Sequence, residues 1–412
     1  MGFGRPGQGL TLNNHRFPRA NNLPISGHNR SSTGYAFFYF FPNPVSLHLW
    51  APWFIQFGGG ITSFSRELAW ALAEGKRSLR LFGKTDLGGC FAGAPLWGAG
   101  NYPAILQSTA FAAGVVGAAV RHQPAEIVST HLNFGPMAHF AARLRGIPFT
   151  LIAHGIDVHP QLSPSRLAAL RAAHRVIVVS NWTRQRLLAL GGIGESRVFV
   201  LPNTYDEERF CPGDPPEYLR ERYKLIRGER VLLTVARLDA GEGYKGYDRV
   251  LQAMPEVVRQ CGSVRFLIAG QGSDRSRLEQ MAQALGVADR VTFAGFVSDG
   301  ELADHYRLAD VFAMPSTGEG FGIVFLEAMG CGTPVLGGNL DGSVDALAGG
   351  ELGMLVDPAS VEAIAAGLVA MLQGRGQELW FGRRALQEKV KQVYGRGAFR
   401  ARVSGLFPSH PF

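Results

Sequence analysis

The chain has 412 residues, 46% of them hydrophobic and 18% charged, which suits two or three globular domains and excludes a disordered or fibrous protein. Its 53 glycines follow no collagen-like period. The net charge of +8 is unevenly spread: residues 1–200 stand at +12 and residues 201–412 at −4.

A basic front half attracts something anionic, such as a membrane surface or a phosphate ligand. The basic residues stand singly rather than in a block interleaved with aromatics, which argues against nucleic acid. Cys90, Cys211, Cys261 and Cys331 are widely scattered and lack metal-ligand spacing. They read as reduced, mostly buried thiols of a cytosolic protein. No uninterrupted apolar run reaches the ~18 residues of a membrane span. Tyr35 to Phe41, "YAFFYFF", is too short for one and lacks the cleavage pattern of a signal peptide.

Residues 1–44 hold four Arg, no Asp or Glu, and many small or polar residues, and read as a flexible extension. Regular structure is expected from "VSLHLW" at 45–50, a strand, followed by the glycine turn "FGGGIT" and the helix pattern "SFSRELAWALAEG". Short strands then alternate with helices: "RLF" near Leu81, then 126–130, 149–155, 175–180 and 197–203. "TYDEERFCPGDPPE" reads as a linker. A second series has strands at 230–237, 264–270, 290–295, 311–316, 333–338 and 353–357. Two successive strand–helix series predict two doubly wound parallel sheets, with ligands at the carboxyl ends of the strands in a cleft between them. The expected units are 45–204, 205–385 and a C-terminal helix over 386–412.

The chemistry concentrates in "STGEGFGIVFLEAMGCGTPV", Ser316 to Val335. Glu319 falls in the loop after a strand, and Glu327 in the second turn of the following helix. A helix rises about 12 Å over eight residues, so the two carboxylates cannot share a proton, but they can grip two parts of one elongated ligand. Between them, Gly320, Phe321, Gly322 and Ile323 form a helix N-terminus, whose free N–H groups favour an anion. An isolated pair of this kind is more often a cap and an exposed mid-helix glutamate; the neighbouring residues shift the weight. "VARLDAGEGYKGYD" places Arg237 at a strand end and Lys245 in the next loop, two cations able to neutralise a departing diphosphate. No two aspartates are separated by a single residue, so an Asp-x-Asp metal grip is absent and no metal is assigned.

These segments resemble the retaining glycosyltransferases of family 4, which have the GT-B fold. The resemblance rests on "EGFGIVFLEAMGCGTPV", the Arg…Lys pair, "AGQGSDRSRLEQMAQALGVADRVTFAGFV" and "DGSVDALAGGELGMLVDP". In the first half it rests on "GGGITSFSRELAWALA", "AHGIDV" and "VIVVSNWTRQRLLALGGIGESRVFVLPNTYDEERFCP". It covers about residues 45–375. The resemblance implies that Glu319 binds the hydroxyls of the donor sugar and Glu327 those of the ribose. The backbone of Phe321 to Ile323 would hold sugar and phosphate, while Arg237 and Lys245 would clamp the diphosphate. Gly59 and Gly60 would admit the phosphates, Phe296 and Val297 would border the base, and His154 would face the transferred sugar. A lone His at a strand end is usually structural; the position of His154 before Gly155 at the cleft rim favours function. His131 is a weaker candidate. Gly270 to Gly272 form a tight turn rather than a dinucleotide fingerprint. Tyr247 receives no role.

The expected activity is transfer of a sugar from a nucleotide-diphosphate sugar to an acceptor hydroxyl with retention. No cofactor is required beyond that substrate. An epimerase-like enzyme on the same fold and a non-catalytic binding protein are the alternatives. The acceptor is expected to be a glycan or lipid-linked molecule in cell-surface polysaccharide or glycolipid synthesis. Arg66, Lys76 and Arg77 are expected to assist attachment to an anionic inner membrane face. Lys245→Ala is expected to reduce turnover by orders of magnitude with little loss of folding.

Overall fold

The computed structural model describes residues 46–55, 59–75, 78–158 and 161–408. The expected extension over 1–44 lies outside the described residues, as do Lys76 and Arg77.

The first half forms an eight-stranded sheet from β1 (Ser46–Ala51), β2 (Ser78–Gly83), β3 (Gly89–Phe91), β4 (Ala94–Gly98), β5 (Glu126–Ser129), β6 (Phe149–Ala153), β7 (Arg175–Val178) and β8 (Val198–Val200). Their order is β3-β4-β2-β1-β5-β6-β7-β8. Central β1 is apolar and buried along nearly its whole length, with Leu49 opposite Leu81 on one side and Val128 on the other. Such continuous burial suits a parallel strand covered on both faces. The sequence reading missed the edge hairpin β3–β4, whose antiparallel pairing makes the sheet mixed. Its tight turn has positive φ at both Ala92 (51°) and Gly93 (73°). An Ala in place of the usual Asn conceals that turn in the sequence.

Helices α1 (Gly60–Glu74), α2 (Ala104–His122), α3 (Gly135–Arg145), α4 (Pro164–Ala172) and α5 (Asn181–Ala189) accompany these strands. Helix α2 has 19 residues and is apolar enough, by length and composition alone, to cross a membrane. Counting uninterrupted apolar runs overlooked it. In the fold it buries only a narrow stripe, Phe111, Val115 and Ala119, one residue per turn.

The second half forms a fully parallel six-stranded sheet from β9 (Arg230–Val235), β10 (Val264–Ala269), β11 (Val291–Gly295), β12 (Val311–Met314), β13 (Val335–Gly338) and β14 (Met354–Val356), ordered β11-β10-β9-β12-β13-β14. Its helices are α6 (Glu217–Arg222), α7 (Tyr247–Cys261), α8 (Arg275–Ala284), α9 (Asp299–Leu308), α10 (Ile323–Gly330), α11 (Ser343–Ala346), α12 (Val361–Leu372), α13 (Glu378–Phe381), α14 (Arg383–Tyr394) and α15 (Arg396–Leu406). Helix α7 shows why these cover the sheet. Val250, Leu251, Met254 and Val257 recur at helical spacing, and all are buried. Two Rossmann-like sheets joined in this way are the expected GT-B architecture.

The segment read as a linker is held more firmly than its Pro and Gly content suggests. Tyr205 and Phe210 are buried, and Phe210 stands edge-on to Tyr306 of α9. Helix α15 packs back on α1 of the first half. Phe399 meets Phe64 edge-on, and Arg396 Nε donates to Glu67 Oε1 at 3.0 Å. Phe399, Val403 and Phe407 are all buried. At about 1.5–3 kcal/mol for each such side chain, this face fixes the helix far more strongly than the ion pair does. All four cysteines are free, but only Cys331 is buried; Cys90 is exposed, contrary to expectation.

Candidate active site

In both sheets the strand order reverses next to the first strand. In the second sheet β10 and β11 lie to one side of β9, and β12, β13 and β14 to the other. The crevice at such a switch point is where open parallel sheets bind ligands. Arg237 and Lys245 follow β9 and Glu319 follows β12, so the fold sets them side by side. From the first sheet, the loops after β1, β5 and β6 carry Gly59 and Gly60, His131, and His154.

The two halves touch through glycines. A Cβ on Gly320 would lie 1.8 Å from the carbonyl oxygen of His154, and one on Gly155 would lie 2.4 Å from Gly320 Cα. Only glycine permits this backbone approach. Thr183 Oγ1 donates to Gly320 O at 3.4 Å. Asp345 accepts from Asn181 at the start of α5, from N at 2.9 Å and Nδ2 at 2.7 Å. Gly60 lies against Ile323, with 3.4 Å between its would-be Cβ and the Ile323 Cδ1; the space beside Gly59 is open.

The loop carrying Glu319 is fixed by Asp341, a buried residue that the sequence reading did not single out. One oxygen accepts from Ser316 Oγ and Glu319 N, each at 2.7 Å; the other accepts from Ser343 N at 2.9 Å. Burial pushes the Asp341 carboxyl up, and these donors oppose the shift. Glu319 O accepts from Gly342 N at 2.9 Å. The Glu319 carboxylate is thereby aimed at Lys245, whose Nζ donates to its Oε1 at 2.6 Å. The two side chains are only 13% and 16% exposed. Burial opposes the lysine charge, but Glu319 and its neighbours outweigh it and hold the ammonium above its usual pKa.

The sequence reading also missed Glu242. It pairs with Arg237, Nη2 to Oε1 at 2.5 Å, and approaches Lys245, Nζ to Oε2 at 3.7 Å. Arg237, Glu242, Lys245 and Glu319 thus form one alternating chain of charges. The signal for Glu242 was its place in the "GEGYK" turn, but only the turn's folding sets its carboxylate between the cations.

Helix α10 starts at Ile323, one turn after Glu319. Its N-cap Gly322 has φ 88°, and a Cβ there would lie 2.5 Å from the Phe325 ring. Among the described residues, the N–H groups of Phe321 to Val324 have no backbone acceptor outside the helix. They are the orphan donors of a helix start. The Phe321 side chain turns inward against Tyr394, so only its backbone can serve a ligand. Glu327 lies one turn further on, and its Oε2 accepts from Tyr306 OH at 2.9 Å. Burial pushes its carboxyl up to about 7 against the opposing effects of Tyr306 and Arg209. Phe296 and Val297 follow β11, two strands beyond β9, and Phe296 is 72% exposed.

His154 is buried. Its Nε2 lies 2.8 Å from Thr130 O, and its ring stands edge-on to Phe64. A carbonyl only accepts, so Nε2 carries the proton and Nδ1 is an acceptor. Burial lowers its pKa to about 4. Asp157 Oδ1 accepts from His154 N at 2.8 Å, while Asp157 Oδ2 is sealed from solvent without a partner. Burial also lowers the pKa of His131; Asp157 opposes the shift, while His154, Arg166 and Lys84 add to it. Among the described residues, no group of three His, Cys, Asp or Glu side chains could hold a metal ion.

Two family models match the chain. Glycosyltransferase Family 4 covers residues 58–209, and Glycosyl transferases group 1 covers residues 217–388. A GDP-mannose-dependent alpha-(1-6)-phosphatidylinositol monomannoside mannosyltransferase of Mycobacterium tuberculosis is 36% identical over 263 residues, 60% of this chain and 67% of that protein. A D-inositol 3-phosphate glycosyltransferase of Rhodococcus opacus is 33% identical over 61% of this chain and 60% of its own length. Among solved structures, Anabaena HepE in complex with UDP superposes with a TM-score of 0.72 at 20% identity, covering 89% of this chain and all of that one. Sucrose-phosphate synthase from Thermosynechococcus elongatus gives 0.71 at 23% identity over 88% of this chain and 98% of that one. At these identities the two structures attest the fold.

Proposed function

The chain belongs to the glycosyl transferases of group 1, and we propose that it moves a sugar from a nucleoside-diphosphate sugar to an acceptor hydroxyl with retention at the anomeric carbon. The observation that carries this reading is the pairing of Lys245 with Glu319 beside Arg237 at the switch point of the second sheet, next to the unpaired amides that open α10. In this reading the cations and amides receive the diphosphate. Glu319 orients the sugar, and Glu327 takes the ribose hydroxyls in place of, or together with, Tyr306. Phe296 and Val297 border the base. Residues 205–385 serve the donor and 45–204 the acceptor.

The bond between the anomeric carbon and the phosphate oxygen breaks as the acceptor oxygen attacks from the same face. The acceptor proton passes to the departing phosphate oxygen, and Lys245, Arg237 and the helix start stabilise the growing charge there. His154 is neutral near pH 7 and offers Nδ1 as an acceptor for a sugar hydroxyl. No metal is needed for this charge stabilisation.

The acceptor side is cationic. Lys84 follows β2 and Arg166 lies in the first turn of α4; among the described residues neither forms an ion pair. These charges support an acceptor bearing phosphate, as the names of the two relatives also do. Tyr102, Ile105 and Leu106 at the start of α2 are exposed, as is Leu87, which supports attachment at the inner membrane face.

A thermal-shift screen of GDP-mannose, UDP-glucose and other nucleotide sugars tests the donor. NMR of the product formed from the best donor then reads the anomeric configuration. A folded protein that binds none of them, or an inverted product, refutes the proposal.

A further inference from the structure

We infer that Glu242 is a built-in stand-in for the donor diphosphate: its carboxylate holds the cation pair while the site is empty and must leave when the donor enters. The inference rests on the donor reading above. Both Glu242 oxygens are used this way, Oε1 at 2.5 Å from Arg237 Nη2 and Oε2 at 3.7 Å from Lys245 Nζ. An anion that bridges two cations offers what a diphosphate offers, so the two compete for one place.

The backbone explains how the carboxylate can leave while the lysine stays. Thr317 N donates to Tyr244 O at 2.8 Å. A Cβ on Gly246 (φ 75°) would lie 2.2 Å from Pro315 O, so Tyr244 to Gly246 are pressed against the loop that carries Glu319. Lys245 is therefore fixed by its backbone and by Glu319. Glu242 is flanked by Gly241 and Gly243, and nothing lies within 4 Å of where their Cβ atoms would be. Its own φ and ψ, −110° and 17°, break the short 3₁₀ segment at that point. Room beside both flanking glycines lets the local backbone turn the glutamate, whose side chain is 17% exposed in the pair, away from the cations while Lys245 stays held by its own contacts.

Pairing with Glu242 lowers the fraction of molecules ready to take a diphosphate, which weakens the apparent affinity by that fraction. Replacing the charge should relieve this. Calorimetric titration of Glu242→Gln with inorganic pyrophosphate, GDP and UDP should give about three- to tenfold tighter binding than the unaltered protein. Guanosine and uridine, which lack the diphosphate, should bind unchanged. Glu242→Ala should show the same direction if the Gln side chain packs badly. Unchanged or weaker pyrophosphate binding in both variants overturns the inference and makes Glu242 a support for the cations instead. Lys245→Met separates this from the reading beneath it. If that change leaves pyrophosphate and nucleoside diphosphate binding intact, the diphosphate does not sit here and both fall. If it weakens binding while the Glu242 variants do not tighten it, only the stand-in role falls.

Discussion

Lys245 and Glu319 form the contact on which the site depends, and a double-mutant cycle measures it. Lys245→Met keeps the aliphatic length but removes the ammonium 2.6 Å from Glu319 Oε1. The Glu319 carboxylate, 13% exposed, then has no cation within ion-pair distance among the described residues. Leaving a largely buried charge unpaired costs about 3 kcal/mol. Glu319→Gln should cost less, about 1–2 kcal/mol, because Lys245 retains Glu242 at 3.7 Å. With both changed, the orphaned carboxylate disappears, so the double variant should lose only about 2–3 kcal/mol. The coupling is then about 2 kcal/mol, within the range of charged hydrogen bonds. Urea unfolding followed by tryptophan fluorescence at pH 7.5 gives these values, and turnover measured in parallel should fall at least about 100-fold in each single variant. Costs that add to within about 0.5 kcal/mol would refute the pairing. The structure thus revises the expectation that loss of Lys245 leaves folding nearly untouched, since that lysine neutralises a carboxylate that the fold has buried.

Glu327 makes stability depend on pH. Its carboxyl is raised by burial from 4.5 to about 7, so its contribution is fully present below about pH 4.5 and is lost as pH rises through about 7. Glu327→Gln should therefore match the parent near pH 4.5 and exceed it by up to about 3 kcal/mol at pH 8. Unfolding curves across that range check this, and a constant difference would contradict it. Gly320→Ala places a methyl 1.8 Å from His154 O, a contact that only backbone movement relieves. It should cost about 2–3 kcal/mol and at least about 100-fold in turnover, with nucleotide affinity largely kept. Asp345→Ala removes the acceptor for Asn181 N and Nδ2 and should speed proteolysis near residue 181, read by timed digestion and mass spectrometry. Activity with the preferred donor should survive EDTA; its loss, restored by a divalent ion, would show that the cations do not suffice.

Strand–helix alternation was legible because every buried parallel strand needs a short apolar run, and β9, β10 and β12 begin within one residue of their expected starts. Hairpin β3–β4 was not, because Ala92 occupies a left-handed turn position without the usual residue. Glu319 and Lys245 could be picked out only in combination, because a cation pair after one strand end and a carboxylate at a glycine-rich helix start after another suit one anionic ligand better than either does alone. Asp341 and Tyr306 act by burial and by reach across the fold, 22 residues from Glu319 and 21 from Glu327, and no local pattern announces such distances.

By itself the amino-acid sequence determined the largely parallel strand–helix pattern, the two halves and the residue types able to meet an anion, since these follow from local periodicity and from which groups carry charge. Tertiary structure alone decided who pairs with whom. Glu242 sits between the cations, His154 is buried against Thr130 O, and Gly155 touches Gly320. Partnerships of that kind depend on desolvation and on distances of a few ångströms between segments far apart in the chain, and neither is written in any local stretch of residues.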